Sequence, residues 1–105
     1  MAQHESLAAG RWYLLSLSEQ LGNIGSEVTR MIRAKNNQER FENAFTRCLE
    51  LFDLTLSDVR WKGRFREIAR AREIVCDGVL GGPEYNTKLE DLTKYFFYFA
   101  LASKI

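Results

Sequence analysis

One histidine, two cysteines and one proline are all that this 105-residue chain holds of three residue types that mark whole classes of protein. His4, the lone histidine, sits at a terminus where chains fray. Its isolation argues against histidine- or cysteine-rich metal sites, against the Glu-x-x-His pattern of di-iron bundles, and against a Ser–His or Cys–His nucleophile. One proline and seven glycines are too few for the many turns of an all-β domain. Charge of one sign is also missing: 15 Lys and Arg face 14 Asp and Glu, a net charge of +1. That total neither demands nor forbids a polyelectrolyte partner, so the distribution of charge carries the information. The longest apolar run, Tyr95 to Ala102, falls far short of the roughly 20 residues that span a bilayer, and no membrane association is expected. Residues 1–10 have no basic n-region and no apolar core, so no signal peptide is expected and a cytoplasmic location follows.

What is present suits a globular domain: 46% hydrophobic residues and 28% charged ones. Surface scaling lets a chain of this mass bury about two thirds of its surface on folding. One domain fits and two do not. Cys48 and Cys76, each inside an amphipathic run, read as small, reduced, buried side chains.

The apolar pattern predicts four helices. From Leu14 through Leu17, Leu21, Ile24 and Val28 to Met31 the spacing alternates three and four, the signature of a helix packed along its length. The first helix is expected over residues 5–35. Beside its stripe run Ser18, Gly22, Gly25 and Thr29, small enough for another helix to come close to Gly22 and Gly25. Asn37 is a good N-cap for a second helix over residues 38–54. Ser57 or Asp58 caps a third over residues 59–79, with Trp61, Phe65, Ile68, Val75 and Val79 at helical spacing. Gly81-Gly82-Pro83 stops it. Thr87-Lys88-Leu89-Glu90 matches a capping box, which starts a fourth helix over residues 88–103. The expected fold is a single all-α domain, a four-helix bundle, antiparallel with short loops.

Three features carry candidate chemistry. The first is Arg60, Lys62, Arg64, Arg66, Arg70 and Arg72, six cations against the single acid Glu67, with Trp61 and Phe65 interleaved. Such a segment grips nucleic-acid phosphates, or it pairs internally with acids such as Glu50, Asp53 and Asp58. Arg30, Arg33 and Lys35 add a second basic cluster. The second feature is the run Tyr95, Phe96, Phe97, Tyr98 and Phe99, which points to every side of a helix. One core face cannot cover all five rings, so some are expected at an interface, most simply a two-fold dimer. The third is a set of carboxylate pairs at helical spacing, Glu39 with Glu42, Glu50 with Asp53 and Glu73 with Asp77. They would suit a magnesium-dependent nucleotide phosphohydrolase only if two helices presented them together. No phosphate-binding loop and no cofactor motif is present.

Asn23-Ile24-Gly25-Ser26-Glu27-Val28-Thr29-Arg30, Glu50-Leu51-Phe52-Asp53-Leu54-Thr55 and Arg60-Trp61-Lys62-Gly63-Arg64, with Cys76-Asp77 and Glu84-Tyr85-Asn86, resemble a family of small microbial helical proteins with no assigned activity. In size and helical layout the chain is also similar to the four-helix-bundle accessory proteins of diversity-generating retroelements, which are non-enzymatic oligomers that bind a reverse transcriptase and nucleic acid. That second likeness carries no matched motif, and no functional residue transfers from it. The second likeness implies a non-catalytic, homo-oligomeric accessory protein, and the function expected here is that of a non-catalytic interaction or accessory protein with a protein or a nucleic acid as partner. The expected catalytic residues, metals and cofactors are none.

Overall fold

The computed structural model describes residues 10–82, 84 and 87–103, and these are helical with no strand among them. Helix α1 is Leu17–Arg33, α2 is Gln38–Leu56, α3 is Phe65–Val79 and α4 is Leu92–Ala102. Short 3-10 segments, Val59–Arg64 and Leu89–Asp91, lead into α3 and α4. Helix α1 packs most widely, against both α2 and α4.

The start of α1 departs from the expected single helix over residues 5–35, of which residues 1–9 lie outside the described residues. Ser16 takes an extended conformation and caps α1. Its hydroxyl accepts from the Glu19 amide while the Glu19 carboxylate accepts from the Ser16 amide. This reciprocal box satisfies two orphan donors and fixes where the helix begins. It also breaks the helical phase. Leu14, first in the heptad stripe, is therefore not buried as expected: it lies in a turn and is 83% exposed. Leu17, Leu21, Ile24, Val28 and Met31 keep the phase and are all buried. Arg30 and Arg33 close the helix, where cations suit its negative end.

Asn37 caps α2 as its residue type predicts, accepting from the Arg40 amide. Ala44, Cys48, Leu51 and Phe52 point into the core, where Ile68, Ala71 and Val75 of α3 and Leu92 and Phe96 of α4 meet them. Both cysteines are free; Cys48 is fully buried and Cys76 half-buried.

The third helix does not begin at residue 59 as an α-helix. Asp58 accepts from the Arg60 amide and caps a 3-10 segment instead. That winding takes about three residues per turn, so the α-helical spacing of Trp61 and Phe65 with Ile68 does not hold. Val59 and Phe65 are exposed and Trp61 is half-buried. The α3 helix ends where Gly81 and Gly82 take φ of 94° and 82°, a backbone that side-chain-bearing residues avoid.

The capping box at Thr87 does not form. The Thr87 amide donates to Oδ2 of Asp77, whose Oδ1 accepts from the Glu84 amide at 2.8 Å. A buried carboxylate of α3 thus fixes this connection, and α4 starts at Leu92 without a side-chain cap. Close approach occurs at Gly25 and at Gly78. A Cβ on Gly25 would lie 3.3 Å from Cβ of Phe96, and one on Gly78 would lie 3.2 Å from Cδ1 of Leu92. Gly22 was expected to face another helix; a Cβ there meets nothing within 4 Å.

Candidate interaction surfaces

The basic segment begins in a polar latch. Asp58, only 6% exposed, receives Nε and Nη2 of Arg60 at 3.0 and 2.7 Å. Arg60 also donates to the Leu15 carbonyl and stacks over the Trp61 ring, 4.4 Å from its centroid. Fully buried Gln20 joins these groups: its amide donates to Asp58 and to the Trp12 carbonyl, and its oxygen accepts from Trp61 Nε1. Trp12 Nε1 donates to Thr55. The hydrogen bonds from Arg60 hold the Asp58 carboxyl below the usual aspartate value, and Asp58 in return raises that of Arg60.

Further along, Arg64 pairs with Glu67 one turn on, and Arg72 reaches across to Asp53 of α2 at 3.1 Å. Arg60, Arg64 and Arg72 are therefore engaged within the molecule, while Lys62 and Arg66 are exposed. Asp53 and Asp58 are among the acids the sequence offers for this pairing. The structure does not gather the six cations onto one bare face.

The aromatic run divides three ways. Phe96 is buried against Phe52, ring centroids 5.8 Å apart. Tyr95 and Phe99 are half-buried and touch edge to face; burial raises the Tyr95 phenol above its ordinary value. Phe97, 63% exposed, and Tyr98, 56% exposed, pack edge to face on the outside of α4, with Leu101 exposed as well. A groove of about 330 Å³ runs between α1 and α4, where Gly22, Gly25 and Ser26 face Thr93, Phe97 and Leu101. Ser18 donates to the Ala100 carbonyl at one end of it. Its floor is low because α1 has no side chain at two positions.

A third surface has a different character. A cleft of about 450 Å³ opens where the last turn of α1 meets the first turns of α2. Arg30, Arg33, Arg40 and Arg47 line it, and Glu27 lies among them, 7% exposed. The Glu27 carboxylate stands 3.4 Å from Arg30 and 3.9 Å from Arg47, one arginine from each helix. Sequence reasoning found Arg30 and Arg33 as part of a basic cluster but did not bring Arg40 and Arg47 of α2 to them. The signal it missed is Glu27, an acid three residues after Ile24 and four before Met31 and so on the buried side of α1.

Among the described residues, no group of three or more His, Cys, Asp or Glu side chains is placed to hold a metal ion, so the carboxylate pairs are not brought together. Burial pushes the Cys48 thiol up to about 12, and the neighbouring Glu27 charge adds to the shift. No helix among the described residues is long and apolar enough to cross a membrane. No protein-family model, curated protein or solved structure matches the chain.

Proposed function

We propose that this protein is a non-catalytic interaction module, an antiparallel four-helix bundle that self-associates through the outer face of α4. The observation that carries the reading is the exposure of Phe97, Tyr98 and Leu101 beside a groove floored by Gly22 and Gly25. Bulky apolar groups next to a shallow apolar groove form a self-complementary pair, the arrangement a two-fold interface uses. The antiparallel arrangement is supported by the order of contacts: Ser18 meets Ala100 and Gly25 meets Phe96, while Arg64 meets Ser103 and Gly78 meets Leu92. The resemblance to retroelement accessory bundles points the same way. A nucleophilic role for Cys48 would need a lowered thiol pKa, and its environment does the reverse.

Sedimentation velocity across micromolar concentrations tests the proposal. The expected result is a species of twice the 12.2 kDa chain mass, reduced to monomer by Phe97→Glu with the helical circular dichroism retained. A wild-type chain that stays monomeric throughout overturns self-association. Nucleic-acid binding through the Arg60–Arg72 segment is the competing reading, and the internal pairing of Arg60, Arg64 and Arg72 weighs against it.

A further inference from the structure

We propose that the arginine cleft between α1 and α2 binds a small phosphate-bearing anion of di- or triphosphate size. Four guanidiniums against one carboxylate leave an excess of three positive charges in one cleft, against a net charge of +1 for the whole chain. The protein's unbalanced charge is thus gathered here and offset by acids elsewhere.

The placement of the arginines gives the argument its direction. Arg30 and Arg33 complement the negative end of α1, so the fold itself accounts for them. Arg40 does not have that account. It lies in the first turn of α2, where the positive end of the helix disfavours a cation. Among the described residues neither Arg33 nor Arg40 forms an ion pair. An anion seated between them would satisfy both, and the amides at the α2 start would add to its field.

Buried Glu27 supplies the pre-organisation. Arg30 donates to it at 3.4 Å from one wall and Arg47 stands 3.9 Å away on the other, and their side chains remain 63% and 48% exposed. A guanidinium has five N–H donors, so contact with one carboxylate leaves donors for a ligand. Planar donor forks held at fixed positions match phosphate oxygens in bidentate fashion.

Size and lining choose among phosphate compounds. About 450 Å³ falls within the range of small-molecule sites. No aromatic side chain lines the cleft, so it lacks the stacking platform that single-stranded nucleic acids use. Asn36 and Asn43 supply neutral amides beside the arginines. The chemistry therefore reads phosphate groups rather than bases.

Isothermal titration calorimetry on the full chain at low salt, with inorganic triphosphate, ATP and a twelve-nucleotide single strand as separate titrants, tests this. Saturable binding of triphosphate and ATP that weakens with added salt is expected. Arg33→Gln with Arg40→Gln should lower that affinity about tenfold or more with little change in melting temperature, the loss at the end of α1 being offset by the relief at the start of α2. Lys62→Gln, an exposed cation outside the cleft, should leave affinity within about twofold. No saturable binding of either polyphosphate overturns the proposal. So does equal weakening by Lys62→Gln.

Discussion

Gly22 and Gly25 are three residues apart on one helix and have opposite surroundings. At Gly22 an added methyl meets open space. Gly22→Ala should therefore stabilise the fold by about 0.5–1 kcal/mol through helix propensity alone. At Gly25 the Phe96 side chain is already in tight contact, and Gly25→Leu should cost about 1–3 kcal/mol by overpacking. Thermal melts of the two variants should move in opposite directions; a shift of the same sign in both would refute close approach at Gly25. The cysteines make a second contrasting pair. With its pKa raised to about 12, Cys48 holds about a thousandfold less thiolate at pH 8 than an ordinary thiol near 8.5. Thiol-labelling in the native state should modify half-buried Cys76 and spare Cys48 until the protein unfolds. The raised value has a consequence for stability as well. A thiol that stays protonated in the folded state and ionises in the unfolded state stabilises the fold fully below about pH 8.5 and progressively less above it. Urea midpoints of wild type should fall above that pH more steeply than those of Cys48→Ala.

The elements were legible in the sequence where one residue decided them and illegible where two competed. Asn37 caps α2 at the position its residue type predicts, and Gly81-Gly82 ends α3 by a conformation other residues resist. The stripe from Leu17 to Met31 needed only its period. Ser16 was hidden because the apolar spacing of Leu14 with Leu17 runs straight through it; the local hydrogen bonds of the capping box outweigh one exposed leucine. At Thr87 the outcome is reversed, since the buried Asp77 carboxylate claims the backbone amide that a helix start would otherwise use. Asp58 shows most clearly what periodicity omits: it looks like an ordinary cap, and its links to Gln20 and Arg60 become visible only in three dimensions. Asp58→Asn should destabilise the fold by about 1–2 kcal/mol at pH 7, because a charged acceptor for Arg60 is lost. The folded carboxyl has a lowered pKa. Its stabilisation is thus complete above the unfolded value of about 3.9 and fades as pH falls through the folded one. The gap between wild type and Asp58→Asn in chemical denaturation should accordingly close below about pH 4; a gap that is constant with pH would contradict the pairing.

At the scale of the whole molecule, charge is sorted by region. The Arg60–Arg72 segment, the densest basic stretch in the sequence, is partly neutralised by Asp53, Asp58 and Glu67. The α1–α2 junction keeps its excess. Linear density of arginine was therefore a poor guide to where positive charge stays unbalanced, because ion pairs are made between helices as well as along them. Arg64→Ala should lower stability by a few tenths of a kcal/mol. Arg64→Ala with Arg66→Ala should leave any electrophoretic retention of DNA or RNA at low salt unaltered; a loss of retention with a shallower salt slope would restore the nucleic-acid reading of that segment. The polar latch also decides how this protein can be observed. Both tryptophans of the chain bond to Gln20, Trp12 through its carbonyl and Trp61 through its indole N–H. Intrinsic fluorescence therefore reports on the junction of residues 12–20 with 58–61, whereas far-ultraviolet circular dichroism sums over the whole helical backbone. A denaturation followed both ways reads two parts of one molecule, and any offset between the curves measures how far the latch opens before the helices melt.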